Sequence, residues 1–237
     1  MKRLLLAGLL AASTLARAEA TLPANAGFTD ESGRAVRLLD YLGDQPLVIV
    51  PGYFECQNLC GTLMDGVLEA LAQSGLPSNS YRLLAVSIDP REDAATAQRR
   101  MAAFRPIFAR EVDAHFLTGP AASAEALAAS LDFRFEWDAA HAQYIHPAAF
   151  VVATPDGRIA RRFDGVRFEA RDLRLALVEA SAGRVGSAGD RLLLMCSHYD
   201  PVTGRYSFAA MTAVRAAGLL AATALGGWLW RRRGGRA

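Results

Sequence analysis

The chain of 237 residues carries 26 basic against 24 acidic side chains, a formal net charge of +2. So small an excess, part of it the Arg231-Arg232-Arg233 run, leaves no basic face and argues against nucleic acid as a partner. Setting the two end segments aside leaves roughly 185 residues, enough for one domain with a full core.

In chain order, residues 1–20 read as a secretory signal peptide. Lys2 and Arg3 form the charged start, residues 4–15 the short apolar stretch, and Ala16-Arg17-Ala18 and Ala18-Glu19-Ala20 the small-x-small cleavage candidates. That stretch is shorter than the ~20 residues a membrane span needs, so cleavage is expected rather than anchoring. The exported domain follows over residues 21–185. Residues 24–30 read as an exposed lead-in and 35–39 as a short edge strand. Residues 47–53 are apolar without alternation, the pattern of a strand buried on both faces. A helix is expected over 60–73, ended by Ser74-Gly75, then a second apolar strand over 81–88 closed by Asp89-Pro90. Residues 93–108 form an amphipathic helix in which Pro106 is a breaker. A strand over 114–117, a helix N-capped by Ser123 and running to Leu131, and an alternating strand over 133–137 come next. Residues 148–153 and 158–163 read as a hairpin about Thr154-Pro155-Asp156-Gly157, and 170–181 as the final helix.

The C-terminal part differs in kind. Residues 186–207 read as a juxtamembrane segment and 208–230 as a transmembrane helix. Its only charge is Arg215, and Trp228, Trp230 and the three arginines close it. The positive-inside rule keeps residues 231–237 in the cytoplasm, so both end signals give one topology: a folded domain outside the cytoplasm, tethered by its C-terminus.

The alternation of strands and helices with a late hairpin predicts an α/β fold, a central mixed sheet flanked by helices with the element order of a thioredoxin-like domain. In that fold a cysteine motif lies at the N-terminus of the helix after a central strand. Here Cys56 and Cys60 stand there. Residues four apart share a helix face, and the N-terminal N–H groups and helix dipole favour thiolate, the form that binds soft metals and exchanges disulfides. Three cysteines in an oxidising compartment are an odd number, so a Cys56–Cys60 disulfide would leave Cys196 over. A purely structural disulfide closing so short a loop contributes little. The spacing leaves both a reversible disulfide and a metal pair open. In the thioredoxin fold a proline before the penultimate hairpin sits opposite the cysteines, commonly through a cis bond. If Pro147 is that residue, His146 lies beside Cys56 and Cys60. Two thiolates and an imidazole suit copper, and zinc with a water could also use the set.

Cys56-x-x-x-Cys60, the strand end Val86-Ser-Ile-Asp-Pro90 followed by Arg91 and Asp93, and His146 ahead of an apolar strand and Pro-Asp-Gly turn together resemble the Sco/SenC family, over roughly residues 28–181. The resemblance implies a thioredoxin-like domain that binds copper, as Cu(I) or Cu(II), through Cys56, Cys60 and His146. It implies a copper chaperone that helps assemble the copper centre of cytochrome c oxidase, with the oxidase's copper-bearing subunit as partner and other periplasmic copper carriers or thiol reductants as further candidates. Gln57 and Gly61 stand where the family often has proline after each cysteine. The C-terminal tail resembles a bacterial subgroup, which implies a single-pass protein of the bacterial inner membrane, in contact with lipid, its soluble domain in the periplasm.

The alternative is a thiol–disulfide reductase that keeps the oxidase copper-site cysteines, or other exported thiols, reduced. Cys56 would attack and Cys60 resolve. A peroxidase-like relative is disfavoured, because no Thr/Ser-x-x-Cys with a partnered Arg is present. Asp89 reads either as a turn residue or as a group orienting the site. Glu55 reads as surface. Cys196 and His198 read as part of a turn at the membrane surface, with a weak metal relay as the other reading. His115 and His141 are assigned no role.

Overall fold

A computed structural model describes residues 20–56, 59–107, 112–184, 199–200, 205–206 and 223, with the side chains of Leu59, Cys60, Tyr199, Asp200, Arg205 and Tyr206 outside it. The chain divides into two units, residues 1–185 and 186–237. Within the first, the sheet is built from β3 (Leu47–Gly52), β4 (Arg82–Ser87), β5 (Asp113–Leu117), β8 (Ala149–Ala153) and β9 (Ile159–Asp164), in the order β5-β4-β3-β8-β9. The first three are parallel, β8 runs antiparallel to β3, and β9 antiparallel to β8. β3 is central because its residues are buried on both faces: Leu47, Val48 and Ile49 are fully inaccessible.

Alternation along the strands divides the core. Val48, Val50, Leu83, Ala85, Phe116, Phe150 and Val152 point to one side. There they meet α1 (Leu59–Gln73), α2 (Ala94–Phe104) and α4 (Ala170–Ser181). Leu47, Ile49, Leu84, Val86, Leu117 and Val151 point to the other. They are covered by α3 (Ala121–Ser130), the hairpin of β1 (Gly27–Thr29) and β2 (Ala35–Arg37), and the 3₁₀ turn Leu38–Tyr41. Helix α1 packs so closely that a Cβ at Gly66 would collide with the carbonyl oxygen of Val166. The β8–β9 turn uses Gly157 at φ +85°, a left-handed conformation glycine adopts without strain.

Several elements depart from the sequence reading. Residues 24–30 are not an exposed lead-in: Phe28 is 3% exposed, and β1 pairs with β2 and bridges Thr118 through Thr29. A single apolar residue, Phe28, finds a core pocket without any periodic signal. Helix α3 starts three residues earlier than expected, capped by Pro120 at φ −66°, and Ser123 lies inside its first turn. Proline's fixed φ suits a helix start, where no N–H partner is needed. Of residues 133–137 only the end is strand. β6 (Glu136–Asp138) pairs with β7 (Gln143–Ile145), which the sequence pattern did not mark, while Phe133 is buried in the core instead. Helix α2 is shorter than the expected 93–108: Asp93 caps it by accepting from the Thr96 N–H, and it ends at Phe104, two residues before Pro106.

The signal peptide of residues 1–20 lies outside the described residues apart from Ala20. So do Cys196, His198 and, apart from Thr223, the expected membrane helix of 208–230. Among the described residues no helix is long and apolar enough to cross a membrane. The second unit contributes β10 (Tyr199–Asp200) paired antiparallel with β11 (Arg205–Tyr206).

Candidate metal centre

The parallel strands β3 and β4 end side by side, Gly52 opposite Ser87. Loops after the carboxyl ends of parallel strands are where α/β sheets commonly build sites. After β3 the chain turns through Phe54 and Glu55 to Cys56, and α1 begins at Leu59 with Cys60 in its first turn. Cys56 is half-buried. Glu55 is exposed and its carboxylate pairs with Arg99 at 3.2 Å, as its surface assignment anticipated.

The cysteine loop is held by a residue the sequence reading passed over. Glu92 is 9% exposed. Its carboxylate accepts the N–H of Phe54 at 2.9 Å, the N–H of Glu55 at 2.7 Å and the Ser87 hydroxyl at 2.5 Å. Burial pushes the Glu92 carboxyl above its ordinary range, against the lowering effect of those three hydrogen bonds. A buried acid beside a strand end, five residues from a buried serine, was the available signal. Without the fold nothing tied it to residues 54 and 55.

Asp89 is a turn residue: one oxygen accepts the Arg91 N–H at 3.0 Å, and the carboxylate pairs with the Arg91 guanidinium at 2.6 Å. That guanidinium lies 4.2 Å from the centre of the Trp137 ring and 5.8 Å from that of Tyr144. Trp137 and Tyr144 pair across β6–β7, ring centres 5.0 Å apart, and Tyr144 also meets Tyr53 edge-on at 5.6 Å. The hairpin therefore leans on the cysteine loop just ahead of His146.

His146 is half-buried between Phe133 and Tyr53, ring centres at 5.3 and 5.9 Å. Tyr53 is three residues ahead of Cys56, so the structure brings His146 to the cysteine loop. Its Nδ1 lies 2.9 Å from the Pro147 carbonyl oxygen. A carbonyl only accepts, so Nδ1 carries the proton and the neutral ring has its lone pair on Nε2. Burial pushes the His146 pKa below its ordinary value, and the bond to Pro147 opposes this only in part. The imidazole is neutral near pH 7, the form that ligates metals. The backbone tie fixes ring orientation, as carbonyls do for metal-binding histidines. Among the described residues every peptide bond is trans, that of His146–Pro147 included, so the cis bond common at this position of the fold is not formed. Trans is the ordinary preference of an X–Pro bond.

Among the described residues no cluster of three metal-ligating side chains occurs. The set Cys56, Cys60 and His146 includes the Cys60 side chain, which lies outside them. What is described suits a soft metal: a half-buried thiol ahead of a helix start and an oriented neutral imidazole.

Fold and site together define a thioredoxin-like α/β protein with Cys56 just ahead of a helix start and His146 packed against Tyr53 of the same loop. A model of the SCO1/SenC family matches residues 17–179, and the chain belongs to that family. Among solved structures it is similar to a putative electron transfer protein from Aquifex aeolicus, at 20% identity and TM-score 0.62, covering 70% of this chain and 95% of that one. Bradyrhizobium japonicum ScoI with copper bound is 22% identical with TM-score 0.52, covering 66% and 95%. Yeast Sco1 with copper bound is 17% identical with TM-score 0.55, covering 73% and 94%. These likenesses establish the fold. Comparison with curated proteins gave no match.

Proposed function

We propose that this protein binds copper as cargo through Cys56, Cys60 and His146 and serves the assembly of the copper centre of cytochrome c oxidase. The observation that carries the ligand set is the position of His146: half-buried, neutral and oriented, with its ring against Tyr53 of the cysteine loop. Family membership and the copper-bound Sco structures of similar fold support the cargo. Two thiolates favour Cu(I), and an imidazole on the opposite side offers a third ligand that can be exchanged for a partner's donor. A signal peptide and a C-terminal helix over 208–230 would hold the domain on the periplasmic face of the bacterial inner membrane, beside the copper-bearing oxidase subunit.

The second reading, a thiol–disulfide reductase, rests on Cys60 lying in the first turn of α1 just after Cys56. Copper titration of the reduced protein, native and His146→Ala, separates the two. Loss of tight copper binding with thiol exchange intact supports the copper role. A native protein that binds no copper with freshly reduced cysteines overturns it.

A further inference from the structure

The loop between β4 and α2 touches both halves of the candidate site, and it does so through adjacent residues. Glu92 takes the two backbone N–H groups immediately before Cys56, those of Phe54 and Glu55. Arg91 points the other way, its guanidinium 4.2 Å from the centre of Trp137 on the hairpin that leads into His146. Asp89 locks Arg91 in place through the backbone N–H and the guanidinium. Ser87, at the last position of β4, donates to Glu92 and so roots the loop in the sheet.

We propose that Glu92 and Arg91 are positioning residues: the loop 87–92 is a brace that sets the distance between the Cys56 loop and the β6–β7 hairpin that leads into His146. The proposal rests on the reading that Cys56 and His146 are copper ligands. Two amides of the turn at residues 53–56 are satisfied by a carboxylate 37 and 38 residues away in sequence. A buried carboxylate that accepts three donors has no neutral substitute of equal size. Glutamine would turn its own NH₂ toward one of them, leaving a donor facing a donor. The cysteine turn then loses one anchor while the sheet and helices keep theirs.

Glu92→Gln tests this. Copper affinity is expected to fall about 10–100-fold, the range for groups that orient metal ligands. The thiolate-to-Cu(II) charge-transfer band should shift, and the Phe54 and Glu55 amides should exchange faster in the metal-free protein. A merely structural role would lower the unfolding midpoint while leaving the band in place. Arg91→Lys keeps the charge but removes the planar stacking on Trp137; it should weaken copper binding a few-fold and leave the Phe54 and Glu55 amides protected. If Glu92→Gln binds copper with native affinity and spectrum, the brace is wrong. If the amides of Phe54 and Glu55 stay as protected as in the native protein, it is wrong whatever copper does. If the native protein binds no copper, the cargo reading falls alone. The brace is then judged by the reduction potential of the Cys56–Cys60 couple, which an unchanged value in Glu92→Gln would sink.

Discussion

His115 and His146 lie in one fold, and their surroundings make them chemically opposite. His115 sits on the edge strand β5 with a carboxylate at each ring nitrogen, Glu31 at 3.3 Å from Nδ1 and Asp113 at 3.0 Å from Nε2. Two acceptors are best met by two donors, which favours the imidazolium form. Burial would lower its pKa, but the bonds and charges of Glu31 and Asp113 outweigh it, and the pKa is raised. His146 meets aromatic rings and one backbone carbonyl, and its pKa is lowered. A histidine among carboxylates is biased toward the cation, which clips the β1–β2 turn to the sheet. A histidine among rings is a neutral donor suited to a metal. Counting histidines could not tell the two apart; their neighbours do.

Phe116 joins the two regions. Its N–H donates to Glu31, and its ring, fully buried, packs 5.5 Å from that of Phe54 in the cysteine loop. Phe116→Ala is expected to cost about 3–5 kcal/mol of stability, the usual range for emptying a core phenylalanine site. Urea denaturation measures it. A loss under 1 kcal/mol would mean that the core can collapse around the gap and that the regions are less connected than the packing indicates.

The next largest effect separates the histidines by function. His146→Ala should weaken copper binding by more than the roughly 10–100-fold that outer groups contribute, because it removes a ligand. His115→Ala should leave copper affinity unchanged while lowering stability. Equal effects of the two substitutions on copper affinity would erase the distinction.

Much of the fold was legible in the sequence, because the signals were long. The apolar runs of β3 and β4, the Thr-Pro-Asp-Gly turn and the amphipathic α4 need no knowledge of the rest of the chain. The candidate ligands were proposed from short motifs, a cysteine spacing at a helix start and a His-Pro step before an apolar strand, and of these the structure places the His146 ring against Tyr53 of the loop that carries Cys56. What escaped was non-local or short. Glu92 matters only through two amides that β3 delivers to it. Glu31 and Asp113 become partners of His115 only once β1–β2 folds against β5. Strand β7 has three residues, too few for alternation to show.

The ion pairs of His115 make a pH-dependent prediction. Its folded pKa is above the ordinary value, so the stabilisation is complete below about pH 6.5 and is lost as pH rises through the folded pKa. Glu31, lowered by the bonds from His115 and Phe116 against its burial, contributes above about pH 4.5 and fades as pH falls through its folded pKa. Arg82 holds Asp113 from the other side at 2.7 Å. His115→Gln should therefore cost about 2 kcal/mol near pH 6, the order of a charge-assisted hydrogen bond, and much less near pH 9. A stability difference independent of pH would mean that the ring acts through packing on Tyr41, 4.9 Å away, and not through charge.

The smallest effect is the most direct reading of the contrast. In the metal-free protein, NMR titration of the ring protons should place His115 above and His146 below the ordinary histidine value of about 6.5. The stability linkage then has opposite signs. Lowering the pH from about 7 to 5.5 leaves the His115 pairs fully formed, while the unfolded chain gains a proton at residue 146 that the folded ring resists, so the site end loses stability as pH falls. Amide exchange should show this as faster opening around residues 144–147 in acid, with the β1–β2 turn unchanged. Two histidines titrating together near 6.5 would mean that their surroundings, carboxylates in one case and aromatic rings in the other, do not set their charge.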